Sequence, residues 1–221
     1  MTEKELGGMI DHTLLKIQTS RADIEKLCEE AIRYHFASVA INPVNVPLAA
    51  KLLRGTDVKV DAATGFFLGA YPIEFKVFEN KDALEKGADE LDMVMNVGAL
   101  KSGNYDLVKR EMEAFVKVAG DRITKIILET ALLTDEEKVK ACRIAKEAGV
   151  KFVKTSTGFG PSGGATVHDV KLMRKTVGED MRVKASGGIR TTEDALAMIE
   201  AGANRLGTSS GVKIVKGLEK S

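Results

Sequence analysis

Two periods of apolar spacing alternate along the chain. Short runs rich in β-branched and other apolar residues occur at 36–42, 58–64, 90–95, 123–129, 151–155, 182–186 and 204–208. A shorter run near 9–12 precedes them. Between the runs lie longer stretches with helical spacing, at 21–34, 73–86, 105–119, 135–148, 168–177 and 192–201. Strand-length runs separated by helix-length patterns mark repeated βαβ units and a parallel sheet. Eight strand signals with no GxGxxG after the first favour a closed (β/α)8 barrel, an α/β fold, over an open doubly wound sheet. No Pro/Gly/Ser-rich linker divides the sequence, so residues 1–221 read as a single domain.

The helix ends support this phasing. Ser20 with Asp23, and Thr134 with Glu137, have the spacing of N-terminal caps. The phrases Lys86-Gly87-Ala88, Ala148-Gly149-Val150 and Ala201-Gly202-Ala203 each close a helical stretch just before a strand. Glycine there permits the left-handed turn that ends a helix. These phrases mark the rim where helices feed strands, which places the functional rim at the opposite, strand C-terminal end.

Several strand runs carry charge where a barrel interior should be apolar. Asp92 lies in 90–95, Lys125 in 123–129, Lys154 in 151–155 and Lys184 in 182–186. The three lysines are 29 and 30 positions apart, about one βα unit, which predicts similar levels on neighbouring strands. A buried charge costs several kcal/mol unless paired, so such a cluster points to chemistry. An amine attacks a carbonyl only when unprotonated, and a neighbouring ammonium lowers its pKa. Lys154 is therefore the candidate nucleophile and Lys184 its perturbing neighbour. Asp92, helped by Lys125, is the candidate proton shuttle.

Two glycine-rich stretches follow the last strands: Gly187-Gly188-Ile189-Arg190, then Gly207-Thr208-Ser209-Ser210-Gly211. Thr191 and Asp194 cap the helix after the first. Loops after strands seven and eight are where barrels commonly hold phosphate, on backbone amides left open by glycine. A third glycine-rich stretch, 158–164, follows Lys154 and reads either as a mobile loop over the site or as a plain flexible loop.

Composition narrows the classes. The net charge is +1, from 33 basic and 32 acidic residues, so no global field draws the chain to nucleic acid or to an anionic membrane. No apolar run is long enough to span a bilayer, and the N-terminus lacks the apolar core of an export signal. Cys28 and Cys142 sit in helical patterns without CxxC spacing, which predicts reduced thiols and a cytoplasmic protein. The basic residues Lys213, Lys216 and Lys220 near the C-terminus read as a frayed, solvated end.

The phrases Ile10-Asp11-His12-Thr13-Leu14-Leu15-Lys16, Gly87-Ala88-Asp89-Glu90-Leu91-Asp92-Met93-Val94 and Val153-Lys154-Thr155-Ser156-Thr157-Gly158 resemble those of deoxyribose-phosphate aldolases. So do Lys184-Ala185-Ser186-Gly187-Gly188-Ile189-Arg190 and Gly207-Thr208-Ser209-Ser210-Gly211. The resemblance spans nearly the whole chain. It implies a (β/α)8 barrel and reversible cleavage of 2-deoxyribose 5-phosphate to glyceraldehyde 3-phosphate and acetaldehyde. It implies a Schiff base on Lys154, with Lys184 perturbing it and Asp92 and Lys125 relaying protons. Asp11, Thr13 and Thr155 would face the substrate, and Gly158, Gly187, Gly188, Ser209 and Ser210 would hold the phosphate. No metal or organic cofactor is implied. The expected partner is a small aldehyde or sugar phosphate, with a homodimer as the expected assembly.

One segment departs from that pattern. Where the family reads much like CTVIGFPLGANTT, this chain has Asp61-Ala62-Ala63-Thr64-Gly65-Phe66-Phe67-Leu68-Gly69-Ala70-Tyr71-Pro72-Ile73. Ala40 and Ala131 stand where relatives often have cysteine. Small residues at 62 and 63 are expected to enlarge the pocket, while Phe67, Tyr71 and Pro72 reshape its rim. Asp61 reads either as an inward carboxylate or as a solvated strand end. Three functions follow: the native-type aldolase, the same imine chemistry on non-phosphorylated or non-native carbonyl substrates, and a sugar-phosphate-binding barrel without catalysis.

Overall fold

The computed structural model describes residues 1–160 and 163–218. Eight parallel strands close into a barrel in sequence order: β1 (Ile10–Leu14), β2 (Ser38–Ile41), β3 (Lys59–Thr64), β4 (Glu90–Val94), β5 (Ile123–Ile127), β6 (Phe152–Lys154), β7 (Arg182–Ser186) and β8 (Arg205–Thr208). Closure is made by β8 against β1, with Asp11 opposite Gly207. The open-sheet alternative is thereby excluded. The first strand runs further than expected, to Leu14.

The helices are α1 (Glu3–Gly7), α2 (Arg21–Arg33), α3 (Val46–Leu52), α4 (Ile73–Glu85), α5 (Val97–Lys101), α6 (Tyr105–Ala119), α7 (Asp135–Glu147), α8 (Val167–Val177), α9 (Thr192–Glu200) and α10 (Gly211–Gly217). Ser20, Thr134 and Thr191 each form a full capping box with Asp23, Glu137 and Asp194. Gly87, Gly149 and Gly202 all have positive φ, as the helix-to-strand phrases require. Lys213 and Lys216, expected in a frayed end, instead belong to α10, and Ile214 and Val215 beside them are buried in the core. Glu219 and Lys220 lie outside the described residues.

The apolar core lies between the barrel and its helices. Val39, Val60, Ala62, Leu91, Met93, Ile126, Val153, Val183 and Leu206 all belong to it. Side chains alternate across a strand, so the residues between these point to the barrel axis. The expectation for 62 and 63 is corrected accordingly. Ala62 packs outward in the apolar core, and only Ala63 shares the inward phase of Asp61. The two cysteines are buried and unpaired, with burial pushing their thiols up to about 11 and about 12.

One buried ion pair ties the outer layer to β4. Lys76 of α4 pairs with Glu111 of α6, and both are almost fully buried. Lys76 also donates to the Val94 carbonyl at 2.8 Å, and the Glu111 carboxylate accepts from the Asn96 amide at 2.9 Å. Truncating one partner of such a pair strands the other charge, at a cost of about 3–5 kcal/mol. Lys76→Ala is therefore expected to lose stability of that order in urea unfolding. A loss below about 1 kcal/mol would remove the pair from any structural role.

Candidate active site

Strand alternation turns the charged residues inward. The axis receives Asp11 from β1, Asp61 from β3, Glu90 and Asp92 from β4, Lys125 from β5, Lys154 from β6, Lys184 from β7 and Arg205 from β8. All except Arg205 are buried, and its side chain is mostly so. Four cations thus face four carboxylates, and each finds an opposite charge.

Asp92 is the hub. Its Oδ2 accepts from Lys154 at 2.6 Å and from Lys184 at 2.7 Å. Its Oδ1 lies 2.8 Å from the Lys125 ammonium. The Lys154 and Lys184 nitrogens share one oxygen, so they stand within two hydrogen-bond lengths of each other. Lys154 and Lys184 are also register partners on adjacent strands. Lys125 sits lower than its spacing suggested: its strand partner is Phe152, while Ile127 pairs with Lys154. There it contacts Glu90 at 2.7 Å and Asp61 at 2.9 Å. Asp11, Asp61 and Glu90 lie close enough together to hold a cation, and Lys125 is the cation they surround.

This lattice separates the amines chemically. Burial holds the Lys154 amine below the ordinary lysine range; the Lys184 ammonium acts in the same sense and Asp92 opposes it. Burial acts the same way on Lys184, but Asp11, Asp61 and Asp92 outweigh it and keep Lys184 charged. Lys125 is likewise held well above its usual value, against burial, by Asp61, Asp92 and Glu90. Burial works to neutralise Asp92, yet its three lysines keep it ionised well below the normal range. Asp61 differs: burial and the nearby Asp92 charge push its carboxyl up to about 6.

A cleft of about 330 Å³ opens above the lattice at the strand C-terminal rim. Of the four cations on the axis, only Lys154 lines it. Thr13, Gly158, Gly187, Gly188 and Ser209 line it too. Gly187 has φ +86°, and a Cβ there would lie 2.9 Å from the Gly164 Cα, so side chains are excluded on both grounds. Lys16 and Arg190, exposed at the cleft edge, add positive charge that the sequence did not single out.

Four of the expected site residues do not line the cleft. Asp11 does not face the cleft: its carboxylate is fully buried, paired with Lys184 and with Arg205 at 2.5 Å, and it accepts from Ser38 at 2.7 Å. Lys125 stays below the cleft, in contact with Asp92, which in turn holds Lys154. Thr155 is buried, exchanging hydrogen bonds with the Ser186 backbone at 3.0 and 3.1 Å, which ties β6 to β7. Ser210 lines an adjoining groove of about 970 Å³ beside α2, α9 and α10, which shares Thr13, Leu14, Lys16 and Ser209 with the cleft. In the loop after Lys154, Phe159 lines the cleft and the Ala165 amide donates to the Ser186 and Gly187 carbonyls. Pro161 and Ser162 of that loop lie outside the described residues.

Sequence reasoning also missed Glu90, Arg205 and Glu129. Glu90 was legible, being two positions before Asp92 and so on the same strand face. Arg205 at a strand start resembles a solvated end. Glu129 accepts from the Thr157 hydroxyl at 2.5 Å and its amide at 3.2 Å, anchoring the loop that follows Lys154. Nothing in its local sequence marks that role.

The rim on the β3 side is aromatic. Phe67 stacks on Phe159 at 5.7 Å between centroids, and Phe66 meets Phe159 edge-on at 5.5 Å. Phe66 and Phe67 follow β3 and Phe159 follows β6, so the rings bridge the rim above β4 and β5. The ring faces remain partly open to solvent, with Phe67 48% and Phe159 44% exposed.

Comparison with known proteins gives a consistent result. Residues 8–217 match the profile of the DeoC/LacD family aldolases. The deoxyribose-phosphate aldolase of Thermoanaerobacter sp. (strain X514) is 63% identical over 214 residues, covering 96% of each chain. That of Thermococcus gammatolerans is 61% identical over 221 residues, covering 98% of each. The solved deoxyribose phosphate aldolase of Aeropyrum pernix, described as a unique tetramer, superposes with a TM-score of 0.92 at 34% identity. That superposition covers 99% of this chain and 92% of the other.

The shared Asp92 oxygen predicts how the amines depend on each other. Lys184→Leu removes a like charge from Lys154 and leaves Asp11, Asp61 and Asp92 short of a cation. Both changes favour the Lys154 ammonium, so the pKa of Lys154 should rise. Reductive methylation of Lys154, followed by mass spectrometry across pH, should show its rising limb displaced to higher pH by about one unit or more. An unmoved limb would refute the coupling.

Proposed function

The chain belongs to the DeoC/LacD family of aldolases, and from that premise we propose that it reversibly cleaves 2-deoxyribose 5-phosphate to glyceraldehyde 3-phosphate and acetaldehyde through a Schiff base on Lys154. The carrying observation is that Lys154 alone among the buried cations reaches the cleft, with its amine held below the ordinary lysine range. An unprotonated amine in contact with substrate is what carbonyl attack requires.

The steps use groups already placed. The Lys154 amine adds to the aldehyde carbon, and loss of water from the carbinolamine gives the iminium. The proton of the C3 hydroxyl leaves, the C2–C3 bond breaks, and glyceraldehyde 3-phosphate departs. The bonding pair remains as the enamine. Protonation at carbon and hydrolysis then release acetaldehyde and restore the amine. Asp92, touching both Lys154 and Lys184, is the direct route for protons between the reacting nitrogen and a charged donor. Lys125 keeps Asp92 ionised from below. Gly158, Gly187, Gly188 and Ser209, with Lys16 and Arg190, form the phosphate end of the cleft. The reaction draws on no metal or organic cofactor. The reading includes one catalytic domain over residues 1–221, a cytoplasmic location in keeping with two free buried thiols, and a homodimeric assembly.

Borohydride trapping with acetaldehyde tests the imine. An adduct at Lys154 is expected in the wild type and none in Lys154→Ala. Absence of an adduct in the wild type would leave only a binding barrel. Asp92→Asn should lower turnover by roughly 10²–10⁴-fold, the usual share of positioned proton transfer.

The aromatic bridge favours a second reading, in which the same imine accepts non-phosphorylated apolar aldehydes. Stacked rings with open faces at a reactive cleft suit an aryl or alkyl substituent. Phe67→Ala should then change the ratio of kcat/KM for an aryl β-hydroxyaldehyde over the phosphorylated sugar, lowering it by about 2- to 10-fold. A ratio that does not move removes this reading.

A further inference from the structure

Asp61 belongs to neither the expected catalytic set nor the phosphate loops, yet it occupies the centre of the barrel. It is fully buried. Its Oδ2 lies 2.9 Å from the Lys125 nitrogen and accepts from Lys184 at 3.1 Å. Its Oδ1 has no hydrogen-bond partner among the described residues. A contiguous chain therefore runs from Asp61 through Lys184 and Asp92 to Lys154, with links of 3.1, 2.7 and 2.6 Å. The charged groups around Asp61 are Asp11 from β1, Glu90 and Asp92 from β4, Lys125 from β5, Lys154 from β6, Lys184 from β7 and Arg205 from β8. β2 contributes only Ser38 and Ala40 to this region.

Charge balance gives Asp61 a task. With Asp61 ionised, four carboxylates face four cations, and the balanced state has Lys154 charged. A neutral Lys154 amine leaves the interior with one excess negative charge. Without the Asp61 charge, three carboxylates face four cations, and the balanced state is the one in which Lys154 has lost its proton. The family's usual cysteine-led segment has no carboxylate at this position.

We propose that Asp61 is a positioning residue that sets the pH at which Lys154 becomes a free amine, its carboxylate favouring the charged form of the Lys154 nitrogen through Lys184 and Asp92. The same charge favours the iminium, which is also cationic at that nitrogen, so Asp61 trades amine reactivity for stability of the covalent intermediate. That second consequence rests on the Schiff-base reading above. Burial already pushes the Asp61 carboxyl up to about 6, so its charge is lost as pH falls through that region, and with it the preference for a charged Lys154.

The test is the pH profile of Lys154 methylation by formaldehyde and cyanoborohydride in the wild type, Asp61→Asn, Asp61→Cys and Asp61→Glu. The two neutral variants should move the rising limb to lower pH by about one unit, a tenfold gain in reactive amine at a fixed pH on the limb. Asp61→Glu, which keeps the charge, should hold the wild-type limb. Asp61→Cys carries the test if Asp61→Asn does not fold. A neutral variant that folds and keeps the wild-type limb, or moves it upward, overturns the proposal. Labelling needs no sugar, so a downward shift in a protein without retro-aldol activity would sustain the Asp61 role and discard the proposed reaction instead.

Discussion

One carboxylate organises the interior of this barrel. Asp92 holds Lys154, Lys184 and Lys125 at once, and each lysine would be prohibitively costly to bury alone. The remaining acids sort the lysines. Lys184 and Lys125 contact further carboxylates, whereas the only carboxylate paired with Lys154 among the described residues is Asp92. The lysine with fewest partners is also the one that reaches the cleft. Three chemically identical side chains are thus set apart in charge state by unequal sharing of counter-charge.

An ionic interior contributes little net stability, because desolvation offsets most of the Coulomb attraction. Stability has to come from the outer layer. The apolar core there joins residues from every strand to the helices. Capping boxes fix the helix starts on the cleft rim, and left-handed glycine turns fix helix ends at the opposite rim. The barrel axis is left free for chemistry, and the buried Lys76–Glu111 pair holds the C-terminal end of β4, the strand that carries Asp92.

What could be read from the sequence follows the same division. Lys154, Lys184 and Asp92 stood out because charge inside a strand run violates a simple rule. Lys125 was found for that reason but placed too high, since residue spacing does not reveal the stagger between strands. Asp11 faces the substrate only by what the family resemblance implies, and its phase on β1 points it down into the lattice. Ala62 was misplaced by the same one-residue error of phase. The short helices α1, α3, α5 and α10 span five to seven residues, too few for a helical period to show. Ser210 and Thr155 sit in motif phrases beside residues that do line the cleft, and neighbours on a strand or turn face different ways. Glu129 could not be found at all, because its role exists only once β5 and the β6 loop are adjacent.

The mouth is divided in a way that bears on substrate. On the side of β7, β8 and β1 the cleft wall is glycine, hydroxyl and exposed cation, which suits a phosphate. Above β4 and β5 the rim is stacked phenylalanine, which suits a group with no charge. Lys154 on β6 lies between the two sides. An imine formed there can extend its substituent toward either wall without any change in the amine, Asp92 or Lys184. Chemistry and specificity are therefore separable here. The lattice under the cleft sets the charge state of the Lys154 amine, and the two walls differ in the substituent they suit.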